Sequence, residues 1–316
     1  MKKTIDIHLD LLESHERIKP FIHRTPIHSS SQIDSLCNAK VFFKCENFQR
    51  AGAYKIRGAL NAIMLLSAEE KNKGVVTHSS GNFAQALTLA AKSLGINAYI
   101  VMPENAPLVK KQAVEAYGGN IIESGPNIAD REATAEKVRQ ETGASFIHPS
   151  NDYHVILGQA TTSIELLEQV PNLDYIVGPV GGGGLISGAC LAAKYLSSEC
   201  KVIGVEPENV DDAYRSLVSG KIEYNTSTNT IADGLKTHLG DVNFPIIKED
   251  IERIITVSEA DIIEAMRLIW ERMKLVVEPS SAVTLAGALK EKSIFQGKRI
   301  GVLISGGNVD LSKLPF

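Results

Sequence analysis

From about residue 73 onward, short runs of apolar, often β-branched residues alternate with stretches whose apolar positions recur at helical spacing. Residues 74–78 (GVVTH) read as a strand and 82–94 as a helix, with Phe83, Leu87, Ala90 and Leu94 on one packed face. Residues 98–102 (AYIVM) give a second strand before a helix over 107–117, and 120–123 with 128–141 repeat the pair. Parallel strands need crossovers of this kind, so the segment predicts a doubly wound α/β unit. The alternation resumes after Phe146: a strand at 173–178, four glycines, a helix over 185–196 and a strand at 201–206. Helices over 258–273 and 280–290 then precede a buried strand at 299–305 (RIGVLIS). No tandem repeat or low-complexity linker interrupts the chain. The pattern predicts two closely packed α/β domains, with the chain crossing between them more than once and a ligand cleft where they meet.

Composition supports this division. A chain of 316 residues, 44% of them hydrophobic, exceeds what one core usually supports. A net charge of −4 argues against a nucleic-acid partner. Cys37, Cys45, Cys190 and Cys200 show no C-x-x-C spacing, which predicts neither a zinc site nor a disulfide framework and fits a reduced, cytoplasmic setting. The first residues, MKKTIDIH, lack the apolar run of a signal peptide, and no apolar stretch reaches the roughly 18 residues of a membrane span.

Five segments carry candidate chemistry. Gly181, Gly182, Gly183 and Gly184, followed by Leu185, leave a strand and open a helix. Consecutive glycines let backbone N–H groups converge on an anion, and the helix N-terminus favours negative charge, so a phosphate is the expected guest; a tight turn is the bland alternative. No Gly-Lys-Ser/Thr follows, which excludes a Walker loop. Lys55, among Ala53, Tyr54 and an apolar helix, is a candidate for partial burial, which disfavours an ammonium and suits a Schiff-base amine; otherwise it is a surface lysine at a helix start. Ser79-Ser80-Gly81-Asn82 stand at a strand's end and suit a carboxylate, with Ser80 as a plain N-cap the alternative. Ser305, closing a buried strand, needs a hydrogen-bond partner, either backbone or a ligand nitrogen. Glu206, with Asp211 and Asp212 a few residues on, offers oxygens to a hard cation such as Mg²⁺, unless the pair is merely a solvated helix start.

Taken together, the run from Phe43 to Ala59, Ser79–Asn82, the glycines 181–184 and Ser-Gly-Gly-Asn-Val-Asp at 305–310 resemble the serine racemase and serine/threonine dehydratase family of fold-type-II pyridoxal-phosphate enzymes, relatives of the tryptophan synthase β-subunit. Glu206-Pro207, Ile231-Ala232-Asp233-Gly234 and the stretch from Trp270 to Glu278-Pro279 look similar too, so the resemblance spans essentially the whole chain. It implies a large domain over residues 1–50 and 149–316, a small one over 51–148, and an active site between them. It implies that Lys55 carries the cofactor with Tyr54 packed beside its ring. Gly181–Gly184 and Leu185 hold the phosphate, Ser305 faces the pyridine nitrogen, and Asn82 lies near the phenolic oxygen. Ser79, Ser80, Gly81 and Asn82 receive the substrate carboxylate, Ser80 is the acid/base of the opposite face, and Arg131 approaches the substrate on closure. Glu206, Asp212 and the Val210 carbonyl match a site for Mg²⁺, Ca²⁺ or Mn²⁺.

Two departures from the family pattern bear on substrate choice: Phe83 stands where many members carry histidine, and Thr237, in the substrate pocket, where the racemase has serine. No regulatory extension is expected after Phe316. The implied activity is an ammonia-lyase converting L-serine, L-threonine or 3-hydroxyaspartate to a 2-keto acid, with some racemisation. A serine racemase with elimination as a side reaction is the alternative. The implied assembly is a homodimer acting on a small amino acid, with ATP as an effector. A nucleotide-dependent oxidoreductase and a catalytically silent binding protein are the rivals from other classes.

Overall fold

The computed structural model describes residues 6–106 and 108–316. The first five residues, and the first residue of the helix expected over 107–117, lie outside it. Among the described residues ten strands are present: β1 (Ile27–His28), β2 (Lys40–Cys45), β3 (Val75–His78), β4 (Ala98–Pro103), β5 (Asn120–Ser124), β6 (Ser145–Phe146), β7 (Tyr175–Pro179), β8 (Lys201–Pro207), β9 (Ile251–Val257) and β10 (Arg299–Ile304). They form a six-stranded sheet in the order β1-β2-β10-β7-β8-β9 and a four-stranded sheet in the order β5-β4-β3-β6. Every pairing is parallel except β1 with β2. The chain lays down β1 and β2, leaves to build the four-stranded sheet, and returns, so that β10 pairs with both β2 and β7.

Helices cover both faces of each sheet, which is why the strands are almost continuously apolar. In the larger sheet Val177, Ile203 and Val302 point into one core, while Ile176, Val202 and Leu303 point into another. In the smaller, Val75 and Ile100 face one side and Val76 and Val101 the other. This is the doubly wound α/β architecture expected. One element differs from expectation. The helix over 258–273 is regular only from Glu259 to Leu268, and Ile269–Met273 is a π-turn stopped by Lys274 at φ +59°. The wider turn brings the Trp270 indole N–H to the Val277 carbonyl at 3.1 Å.

The helix Tyr153–Gln169 packs against two others through small residues. It crosses the helix Lys55–Leu65 where Gly58 meets Gly158: a Cβ on Gly158 would stand 2.6 Å from the Gly58 Cα. It also meets the helix Gly184–Leu196 where Gly188 lies against the Ala160 backbone. Between the first pair lies a buried, charge-balanced cluster. Arg57 donates to Glu46 at 2.7 Å and to Glu165 at 2.8 Å, and Lys44 donates to Glu165 at 2.6 Å. Such a cluster adds little net stability, but losing one partner strands a buried charge at a cost of about 3–5 kcal/mol, so it dictates how the helices meet. The four cysteines are buried and unpaired, and burial pushes the thiols of Cys37, Cys45 and Cys200 up to about 12. Among the described residues no helix is long and apolar enough to cross a membrane.

Candidate active site

The segments singled out in the sequence converge on the carboxyl ends of the parallel strands, where ligands of doubly wound sheets bind. Lys55 is the first residue of its helix, and its Nζ donates to the Pro149 carbonyl at 3.2 Å. The amine lies 5.0 Å from the centre of the Tyr54 ring and 5.9 Å from that of Phe83. Phe83 belongs to the core, as its helical spacing predicts, and it also walls the amine. The Tyr54 N–H donates to the Ser305 carbonyl at 3.0 Å, which ties the end of β10 to the lysine's helix.

The glycine turn comes directly after β7. Gly183, at φ +81°, caps the helix Gly184–Leu196 in a conformation that a side chain would strain. Its would-be Cβ position lies 2.8 Å from Asn243 and Leu239, whereas Gly182 is backed by Ser150 and by the Thr237 hydroxyl, 2.9 Å from where its Cβ would stand. With these neighbours standing where side chains would be, the turn can offer only backbone. None of the N–H groups from Gly181 to Leu185 donates to a described protein atom, although four of these five residues are buried. Convergent unpaired donors at a helix N-terminus are what a phosphate requires. Asn243 holds the turn's shape, donating to the Gly182 carbonyl at 2.8 Å.

Lysine and cradle share one support. His148 Nδ1 accepts the N–H of Ser150 at 3.1 Å and of Asn151 at 2.8 Å, bending the chain so that Pro149 faces Lys55 and Ser150 faces the glycines. A ring nitrogen accepting twice must be unprotonated, and burial, reinforced by His78, Lys55 and His238, pushes His148 down to about 4.

Asn82 is fixed from the other sheet. Its amide donates to both oxygens of Glu278, at 2.9 and 3.1 Å, and its carbonyl accepts from Asn308 at 2.9 Å; Asn308 in turn donates to the Ala51 carbonyl at 2.8 Å. Glu278 is buried, and desolvation, aided by Asp233, pushes its carboxyl up to about 7 against the opposing effect of Asn82 and Lys110. An ion pair from Lys110 to Asp233, 2.6 Å long, also spans the two sheets. Glu278, His148, Ser150 and Asn243 carry no signal that singles them out in the sequence. Only the Glu-Pro pair before a helix hints at the first.

The raised Glu278 carboxyl has a signed consequence. A carboxyl whose folded pKa exceeds its unfolded value disfavours the fold increasingly as pH rises from about 4.5 to about 7, by up to roughly 3 kcal/mol. His148 acts oppositely, destabilising the fold as pH falls from 6.5 towards about 4. In cofactor-free protein, Glu278→Gln should raise the melting temperature relative to wild type more at pH 8 than at pH 5. A gain that shrinks with pH would contradict the assignment.

Ser80 lies half-buried in the turn after β3. The N-cap of the helix Asn82–Ser93 is Gly81, without a side-chain bond, so Ser80 does not cap it. The Ser79 hydroxyl accepts the Gly81 N–H at 3.4 Å. Arg131 is not brought to this group: its guanidinium contacts the Asn127 carbonyl at 3.4 Å, and half-burial holds its pKa down.

Glu206 and Asp212 do come together, at the end of β8. Glu206 is fully buried and accepts only the N–H groups of Ala213 at 3.2 Å and Tyr214 at 3.0 Å. Asp212 accepts from Asn225 through one oxygen, and its Oδ2 is buried without a partner. Burial and mutual repulsion push Glu206 well up, and burial pushes Asp212 to about 6. Among the described residues no group of three His, Cys, Asp or Glu side chains clusters around a metal position. Two carboxylates and the adjoining Val210 segment constitute this candidate site.

Residues 18–306 match the family model for a pyridoxal-phosphate dependent enzyme. The chain is 51% identical to the β-hydroxyaspartate dehydratase of Paracoccus denitrificans, over 97% of this chain and 98% of that one. It is 46% identical to the L-threo-3-hydroxyaspartate ammonia-lyase of Saccharomyces cerevisiae, over 96% of this chain and 94% of the relative. The crystal structure of serine racemase from Dictyostelium discoideum superposes with a TM-score of 0.93 at 48% identity, over 96% of this chain and 99% of that one. The buried cradle, the lysine beside it and these likenesses agree: the chain belongs to the pyridoxal-phosphate dependent enzymes.

Proposed function

We propose that the chain removes the β-hydroxyl of a small β-hydroxy amino acid, giving a 2-keto acid and ammonia, and racemises the α-carbon as a lesser outcome of the same site. The observation that carries this reading is the Lys55 amine held by Pro149 beside a buried turn of unpaired N–H groups. Relatives named for elimination from 3-hydroxyaspartate and for serine racemisation support the substrate class. Serine and threonine belong to the same class.

Pyridoxal phosphate, when bound, supplies the electron sink that weakens the bonds at the α-carbon. Gly181–Gly184 and Leu185 would hold its phosphate, Lys55 would attach it covalently, Tyr54 would pack on its ring, and Asn82 and Ser305 would meet its phenolic oxygen and ring nitrogen. Ser305 would offer that nitrogen a neutral hydroxyl instead of a carboxylate, a weaker pull that suits loss of a β-substituent. Ser79, Ser80, Gly81 and Asn82 would take the substrate carboxylate, with Thr237 at the pocket edge and Arg131 arriving on closure. The Lys55 amine, once free, would remove the α-proton. With that proton accounted for, the β-hydroxyl would depart as water, and the enamine released would hydrolyse to the keto acid and ammonia. Residues 51–148 would move as the small domain against 1–50 and 149–316. A cytoplasmic homodimer with ATP as effector completes the reading drawn from the resemblance.

The test is to incubate the purified holoenzyme with L- and D-serine, L-threonine and the isomers of 3-hydroxyaspartate, measuring keto acid beside chiral composition. Keto acid should form faster than the enantiomer. Serine racemisation outrunning keto acid would make the racemase reading correct, and no turnover of any of them would reject both.

Glu206, Asp212 and the Val210 carbonyl would hold a divalent cation, supported by the two buried carboxylates and the unpartnered Asp212 oxygen. Mg²⁺, Ca²⁺ or Mn²⁺ should then raise the melting temperature, and chelator should lower it in wild type but not in Glu206→Ala. A chelator without effect on stability or rate would mean that the site does not bind.

A further inference from the structure

Ser281 sits in the first turn of the helix Pro279–Lys290, fully buried, and has no part in the chemistry proposed for Lys55 and Ser80. Its hydroxyl has three neighbours. The Gly306 N–H donates to it at 2.8 Å, and the Gly306 carbonyl lies 2.7 Å away and the Ser305 hydroxyl 2.9 Å away. A hydroxyl has one proton and two lone pairs. The Gly306 N–H takes one lone pair, so the single proton must choose between the Gly306 carbonyl and Ser305. If it goes to the carbonyl, Ser305 donates to Ser281 and its own proton is occupied. If it goes to Ser305, the Ser305 oxygen accepts it and the Ser305 proton is free to be donated to an acceptor in the cleft.

We infer that Ser281 is the positioning residue for Ser305, anchoring its oxygen and, by rotating one proton, freeing Ser305 to donate to the unprotonated ring nitrogen of the cofactor. The inference rests on the proposed place of Ser305 opposite that nitrogen. It adds a second residue, 24 positions away in sequence, that decides whether the neutral donor is available. Without Ser281, the Ser305 hydroxyl would lose its buried partner and could turn away from the nitrogen.

Cofactor-free protein titrated with pyridoxal phosphate and with its carbocyclic analogue, in which C–H replaces the ring nitrogen, separates this role from a structural one. The analogue carries the same aldehyde and phosphate but accepts nothing from Ser305. Wild type should prefer pyridoxal phosphate. Ser281→Ala should weaken pyridoxal phosphate by roughly five- to tenfold, the worth of one hydrogen bond, and leave the analogue's affinity unchanged. Equal weakening of both ligands, or of neither, would overturn the inference, because general loosening of the site cannot distinguish them. Should Ser281→Ala fail to fold, Ser281→Cys keeps the volume with a poorer donor and should show a smaller loss of the same preference; an unchanged preference there overturns it too. A wild type that binds both ligands equally would instead defeat the reading of Ser305, and this inference with it.

Discussion

Replacing Lys55 with alanine is expected to abolish turnover and the visible absorption of bound cofactor while leaving the fold intact. The fold should survive because the lysine's helix is held elsewhere: Arg57 by Glu46 and Glu165, and Gly58 by its crossing with Gly158. The substitution removes one hydrogen bond, to the Pro149 carbonyl, from a half-buried side chain, and alanine is the better helix former. A melting temperature within a few degrees of wild type is therefore expected. Chemistry has no such redundancy. Among the described lysines, Lys44 is committed to Glu165 and Gln169, and Lys110 to Asp233, so neither can replace Lys55. Borohydride reduction of wild-type holoenzyme should fix the cofactor to the peptide containing Lys55. Label on another lysine would end the assignment.

How much of this was legible in the sequence depended on how local each feature is. Buried parallel strands are apolar throughout, so β3, β4, β7, β8 and β10 announced themselves. The glycine turn was equally plain, because an anion site of the kind proposed there would be built from the backbone of consecutive residues. The helix Tyr153–Gln169 was not. It is buried nearly all round and carries Gln159, Thr161, Thr162, Ser163 and Glu165 inside, so no amphipathic stripe marks it. Yet it joins the lysine's helix to the glycine turn's. β2 reads only as part of a motif, and β9 carries no strand signal, since its alternation is broken by Glu252 and Arg253 side by side. The pairings that finish the site are longer in range still. Asn82 and Glu278 lie 196 residues apart, and no spacing rule connects them. Ser281 looked like any serine at a helix start; only three distances around its oxygen distinguish it.

Ser80→Ala should abolish interconversion of L- and D-serine, yet spare elimination from the L-enantiomer. Inverting a carbon needs a proton donor and an acceptor on opposite faces, whereas starting elimination from one enantiomer needs only Lys55. The structure supplies a reason to expect a clean result. The helix after Ser80 is capped by Gly81, and the Ser80 hydroxyl bonds no described residue, so the substitution should hardly alter stability. Loss of one general acid/base costs about 10²–10⁴-fold in the step it serves. That loss should fall in full on racemisation and on elimination from D-serine, with a smaller reduction for L-serine if Ser80 also orders the carboxylate. Following both enantiomers in wild type and variant, by chiral analysis beside keto-acid release, reads all three rates. Phe83 sharpens the expectation. The buried phenyl ring that walls the Lys55 amine carries no exchangeable proton, so residue 83 cannot stand in for Ser80. Equal loss of elimination from both enantiomers would show that Ser80 only positions the carboxylate, and residual racemisation near the wild-type rate would place the second proton carrier elsewhere in the cleft.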